Sequence, residues 1–161
     1  MKSALAESIW THYISIIMMN EIYNRRILEL AADIPLLGRL EHPQSSATKH
    51  SKLCGSTVTV DLDMQDGRVV RFGHEVKACA LGQASSSIMA RHVIGSTGDE
   101  LRAVRDTVRA MLKDNGPAPS APWDDAQVLE PVRDYKARHA STLLTFDAVV
   151  EAVEMIEQAA G

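Results

Sequence analysis

The run from Thr57 to Val76 constrains the fold more than any other stretch of the chain. Thr57-Val-Thr-Val-Asp-Leu-Asp-Met64 alternates in polarity, Gln65-Asp66-Gly67 interrupts it, and Arg68-Val-Val-Arg-Phe-Gly-His-Glu-Val76 resumes it. Alternation on both sides of an Asp-Gly pair specifies a β-hairpin, because those two residues tolerate the positive φ angles of a tight turn. The pattern predicts Val58, Val60, Leu62 and Met64 on one face, with Val70, Phe72 and His74 on the matching face of the second strand. A spatial consequence follows. Cys54 stands just before the first strand and Cys79 just after the second, and antiparallel strands bring those ends together. They are the only two cysteines in the chain.

After the hairpin, Cys79 is followed by an apolar-periodic run, Leu81, Ala84, Ile88, Met89, His92 and Val93, which predicts a helix with a cysteine at its amino end. The free N–H groups and dipole of a helix start favour thiolate over thiol. The same residue also fits as a small apolar side chain under the helix. Ahead of the hairpin, Leu5, Ile9, Tyr13, Ile16, Ile17, Tyr23, Ile27, Leu28 and Ala31 predict one long helix over about residues 4–32, ended by Pro35 and Gly38. Its first part is an apolar extension, with Met18 or Met19 as alternative starts. The polar stretch from Glu41 to His50, including His42 and His50, reads as loop, and residues 37–53 offer no clear site for a third strand. Beyond Gly95, helices are expected over Asp99–Lys113, Trp123 to about Val132, and Ser141 to Gln158, with a breaker-rich loop at 115–122.

Helix, hairpin, then several helices argues an α+β domain: a small antiparallel sheet, the hairpin 57–76 plus a possible third strand, packed against helices. Its 161 residues, 45% apolar, suffice for one hydrophobic core. Residues 1–18 read as a helical extension and 19–161 as the domain. A net charge of −4 without a basic cluster, and 4% aromatics, exclude a nucleic-acid surface built on phosphate contacts and base stacking. No stretch is long and apolar enough to span a membrane, the start lacks the basic region of a signal peptide, and two cysteines do not make a disulfide scaffold. A cytoplasmic protein with reduced thiols is expected.

Three motifs in order carry a resemblance: Cys54-Gly55 before the hairpin, Cys79 followed by Ala84-Ser-Ser-Ser-Ile-Met89 on a helix, and Pro131-Val-Arg-Asp-Tyr-Lys-Ala-Arg-His-Ala-Ser-Thr-Leu-Leu144 before the last helix. Together, over about residues 20–158, the chain resembles the iron–sulfur cluster assembly scaffolds of the IscU, SufU and NifU amino-terminal type. The resemblance implies an exposed site that accepts sulfur from a cysteine desulfurase and holds iron, a nascent 2Fe–2S cluster or zinc. It implies a binding protein, not an enzyme. Family members surround this site with three cysteines and an aspartate. Here Cys54 and Cys79 match the first two cysteines, Ser56 stands at the aspartate position, and Ser141 stands at the third cysteine. A family histidine position falls on Ala140, beside His139.

The implied donors are therefore Cys54, Cys79 and, with a one-residue loop difference, His139. Serine is a poor ligand for zinc or an iron–sulfur cluster, each of which takes four strong donors. His74, Glu75 or a second subunit, giving a homo-oligomer with two thiols from each chain, would complete the set. Two other readings stand beside the scaffold: a binding module that keeps the fold and partner surface without metal, and a thiol enzyme pairing Cys79 with His139.

Overall fold

The computed structural model describes residues 4–22 and 24–161, and over residues 15–22 the backbone alone. The predicted hairpin is formed by β2 (Thr57–Gln65) and β3 (Arg68–Lys77). Asp66 and Gly67 adopt φ angles of 53° and 76°, the left-handed pair that this tight turn requires. The register pairs Val58 with Val76, Val60 with His74 and Leu62 with Phe72. Val58, Val60 and Leu62 are fully buried, as the alternation predicts.

One position departs from the pattern. A β-bulge between Asp63 and Met64 shifts the register so that Met64 opposes Val69. Val70 is the residue left over, and it faces outward at 44% exposure, while Val69 takes its place in the core. An extra residue in one strand flips every side chain beyond it, which corrects the expected inward placement of Val70.

A third strand exists where the sequence offered no candidate: β1 (Ser45–His50) pairs antiparallel with β2, giving the order β1-β2-β3. Most of the predicted loop 41–50 is thus an edge strand. Its inner face carries small residues because the last helix lies close upon it, and the Ser45 hydroxyl donates to the Ala152 carbonyl at 2.8 Å. Its outer face pairs polar side chains with β2, Thr48 with Thr59 at 2.9 Å and His50 Nδ1 with Thr57 Oγ1 at 3.0 Å. Ser46 continues that row onto Asp61. His50 therefore belongs to a strand, not a loop.

The single helix expected over 4–32 is two helices, α1 (Ala4–Ile22) and α2 (Arg25–Ala32). Asn24 is the reason for the second start: its backbone is extended, and its side chain accepts the Ile27 N–H at 3.0 Å, an N-cap in the middle of the apolar period. Ile16, Ile17 and Tyr23, and the alternative starts Met18 and Met19, lie outside the described side chains. On α1, Leu5, Ile9, Trp10 and Tyr13 are exposed, whereas Ile27 and Leu30 of α2 are fully buried.

The remaining helices follow expectation: α3 (Ala80–His92), α4 (Gly98–Lys113), a 3-10 segment over Asp124–Asp134 with a short turn at Lys136–Arg138, and α5 (His139–Ala160). A capping box between Thr97 and Glu100 starts α4. Helix α5 crosses the inner face of β1 and β2 and packs against α3 and α4, while α2 packs on α3. Phe146, Val149 and Val153 of α5, Leu81 and Ile88 of α3, and Leu101 and Val108 of α4 share one core with the buried sheet face. Trp123 anchors the 3-10 segment to it, its ring edge-on to His92 at 5.3 Å.

The other sheet face is crossed by residues 37–40. Gly73 makes this possible: a Cβ there would stand 2.5 Å from the Gly38 carbonyl oxygen. Beneath the crossing, Asp61 is fully buried and binds the Arg39 guanidinium at 2.7 and 3.0 Å and the Leu40 N–H at 3.0 Å. Burial raises its carboxyl, but these donors and Ser46 outweigh that and hold it below the ordinary carboxylate range.

Candidate functional site

The open end of the hairpin, the start of α3 and the first turn of α5 meet at one corner of the molecule. Each brings one element of the site. The loop that leads from β1 to β2 is closed by Ser51 N–H to Ser56 O at 2.8 Å and Gly55 N–H to Ser51 O at 2.9 Å, with Gly55 turned at a φ of 70°. It presents Cys54 to solvent. Cys79 follows β3 as the N-cap residue of α3 and is half-buried. Ser141 lies in the first turn of α5 and is buried.

Side-chain contacts tie the three together. Cys54 Sγ lies 3.4 Å from Ser51 Oγ and 3.0 Å from Ser56 Oγ. The same Ser56 hydroxyl accepts the Cys79 N–H at 3.4 Å. Cys79 Sγ in turn lies 3.7 Å from the Ser141 hydroxyl, which donates to Arg138 O at 3.1 Å. Gly82 allows this approach: a Cβ there would stand 2.7 Å from Ala78 Cβ and 3.2 Å from Ser141 O, so only a glycine lets the first turn of α3 lie against α5. Thus the four positions singled out by the resemblance, Cys54, Ser56, Cys79 and Ser141, stand side by side.

The electrostatics of the corner favour the thiolate at Cys54. Hydrogen bonds from Ser51 and then Ser56 lower its thiol to about 7, against a smaller upward push from burial, and the Ser141 hydroxyl adds to the lowering. An exposed thiol with this titration is half ionised near neutral pH and is a competent nucleophile.

His139 stands elsewhere. It is buried, and its Nε2 donates to Val132 O and Arg133 O, both at 3.1 Å. It lines a cavity with Leu112, Lys113, Arg133, Lys136 and Ala140, none of which belongs to the thiol corner. His74 is fully buried under Phe72, its Nε2 bound to Pro35 O at 2.8 Å, and Glu75 pairs with Lys77. Among the described residues no three His, Cys, Asp or Glu side chains gather as a metal-binding group. One chain therefore contributes two strong soft donors and adjacent hydroxyls, half of the shell that zinc or a cluster iron takes from protein. Sequence reasoning missed Ser51, which nothing in its local pattern distinguishes, and Gly82, which reads as an ordinary helical small residue.

Comparison with known proteins agrees in extent and kind. The NifU-like N terminal domain family model matches residues 22–142. The iron-sulfur cluster assembly scaffold protein IscU of Thermotoga maritima is 23% identical over 137 residues, 85% of this chain and 96% of that protein. Among solved structures, a nitrogen-fixing NifU-like protein (N-terminal) from Brucella abortus is 64% identical, with a TM-score of 0.86 over 88% of this chain and 98% of its own. A SufU from Fervidobacterium islandicum, 22% identical and covering 83% of this chain and 98% of its own, shares the fold at a TM-score of 0.70. No helix among the described residues is long and apolar enough to cross a membrane.

Proposed function

The chain belongs to the NifU-like N-terminal domain family of iron–sulfur cluster assembly scaffolds, and from that premise we propose that it accepts sulfur and transiently holds iron or a nascent 2Fe–2S cluster at the Cys54–Cys79 corner. The observation that carries this reading is the convergence of Cys54, Ser56, Cys79 and Ser141 on one corner that Cys54 opens to solvent, reached from three separate elements. The metal is cargo. Two thiolates with serine neighbours hold it more weakly than a four-donor shell and leave coordination positions open to a donor or an acceptor protein. A second copy of the chain, contributing its own pair of thiols, completes a Cys₄ set. Zinc would use the same thiols. His139, with Nε2 given to two carbonyls, serves on this reading as a strut for the first turn of α5.

A cysteine desulfurase is the partner this reading calls for. Leu53, 76% exposed beside Cys54, offers it an apolar contact next to the thiol. On this reading the scaffold domain is residues 19–161, which a family match starting at residue 22 supports, and residues 1–18 are an extension ahead of it. The protein then acts in the cytoplasm as a carrier of sulfur and metal.

The substituted ligands support one other reading, a binding module that retains the fold and partner surface without metal. Both are tested by the iron, zinc and acid-labile sulfide content of protein purified without oxygen, wild type beside Cys54→Ala and Cys79→Ala. Metal or cluster present in the wild type and lost in both variants supports the scaffold. Metal-free wild type that still binds a desulfurase supports the module.

A further inference from the structure

We infer that Cys54 and Cys79 form a reducing pair that converts a delivered sulfane sulfur into sulfide, Cys54 taking the sulfur and Cys79 expelling it. This rests on the sulfur-acceptor reading and goes beyond it, because it gives the chain a redox step of its own. Accessibility divides the roles. Cys54 is exposed on a short turning loop and can meet a bulky donor, whereas Cys79 is half-buried at the start of α3. Two hydroxyls separate them: Ser56 Oγ lies 3.0 Å from Cys54 Sγ and accepts the Cys79 N–H, and Ser141 Oγ lies 3.7 Å from Cys79 Sγ. Among the described residues, no further His, Cys, Asp or Glu joins the thiols to make a metal-binding group. The arrangement is poor in metal donors, yet it supplies what thiol–disulfide exchange needs: a sulfur to be attacked, a second thiol on the same corner, and O–H groups beside the departing sulfur.

Two displacements complete the reaction. In the first, the Cys54 thiolate attacks the terminal sulfur of a donor persulfide. A Cys54 Sγ–S bond forms, the donor S–S bond breaks, and the donor leaves as a thiolate that takes up a proton. In the second, the Cys79 thiolate attacks Cys54 Sγ. A Cys54–Cys79 disulfide forms, the Cys54 Sγ–S bond breaks, and hydrosulfide departs with the electron pair. The sulfane sulfur is reduced by two electrons and the two thiols are oxidised to a disulfide, which an external dithiol returns to thiols for the next turnover. The loop carrying Lys52, Leu53 and Cys54 is exposed, and the second step requires it to bring Cys54 onto the start of α3.

The test mixes reduced full-length protein with glutathione persulfide, without other reductant, and follows free sulfide together with the masses of the alkylated, non-reduced peptides. Wild type is expected to release about one hydrosulfide per chain and to end with a Cys54–Cys79 linked peptide. Cys79→Ser is expected to retain the extra sulfur on Cys54 and to release sulfide at least about tenfold more slowly, since it lacks the intramolecular nucleophile. A circular dichroism spectrum matching wild type establishes that Cys79→Ser is folded. A stable Cys54 persulfide in wild type, with sulfide release equal to that of Cys79→Ser, overturns this inference and leaves sulfur acceptance standing. Absence of added sulfur on either cysteine in both proteins overturns the acceptor reading as well.

Discussion

Removing the hydroxyls of Ser51 and Ser56 together should move Cys54 reactivity in opposite directions at neutral and alkaline pH. These hydroxyls lie 3.4 and 3.0 Å from Sγ and are the two leading causes of a thiol titration lowered to about 7. Without them the midpoint returns toward the ordinary value of about 8.5. At pH 7 the thiolate fraction then falls from about one half to about 3%, roughly sixteenfold. The more basic thiolate is, however, the better nucleophile, and with a Brønsted slope of about 0.4–0.5 it gains about fivefold. The Ser51→Ala/Ser56→Ala variant should therefore react about threefold more slowly at pH 7 and about fivefold faster near pH 10. Iodoacetamide rates between about pH 6 and pH 10, read on the Cys54 and Cys79 peptides separately by mass spectrometry, give both limbs and the midpoint. Profiles that do not cross, or a wild-type midpoint already near the ordinary value, would refute the assignment of the two serines as thiolate donors.

Three further outcomes probe the elements around the site. Gly82→Ala should cost about 1–3 kcal/mol in urea unfolding through the clash with Ala78 and Ser141, outweighing alanine's helical advantage of about 1 kcal/mol; equal or greater stability would mean that α3 and α5 are not in contact there. Asp61→Ala should cost about 2–4 kcal/mol, because it strands the Leu40 N–H and leaves Arg39 without its partner; a loss below about 0.5 kcal/mol would show the residue 37–40 crossing to be held by packing alone. Burial depresses the His74 imidazole below its ordinary value, only partly offset by its bond to the Pro35 carbonyl. Its neutral form is thus favoured in the folded chain. The stability it contributes is complete above its unfolded value of about 6.5 and declines as pH falls toward its folded one. The Tm of His74→Phe should be flatter than wild type between about pH 7.5 and 5.5, and parallel curves would remove His74 as the cause.

Much of the domain is legible in local pattern. Period-2 alternation about Asp66-Gly67 specifies β2 and β3, and apolar spacing marks α3, α4 and α5, because in each case one buried face imposes its period on neighbouring residues. The proximity of Cys54 and Cys79 follows from the hairpin alone. The resemblance to the cluster scaffolds, read from three motifs, agrees with the family match over residues 22–142.

What local pattern does not carry depends on residues distant in sequence. Strand β1 is written Ser45-Ser-Ala-Thr-Lys-His50, and its polarity suits a strand only because α5 closes on one face and Thr57, Thr59 and Asp61 line the other. The bulge that turns Val70 outward and the Asn24 cap that separates α1 from α2 each rest on one backbone residue within an otherwise regular period. Above all, the sequence by itself brought the two thiols, Cys54 and Cys79, to the open end of one hairpin, whereas the tertiary structure decided what surrounds them. Ser51, Ser56 and Ser141 reach the thiols from a loop and a helix start brought together by α5 packing against α3 under the sheet. His139, two residues before Ser141, gives its Nε2 to the 3-10 segment, because helical residues two apart point to different sides.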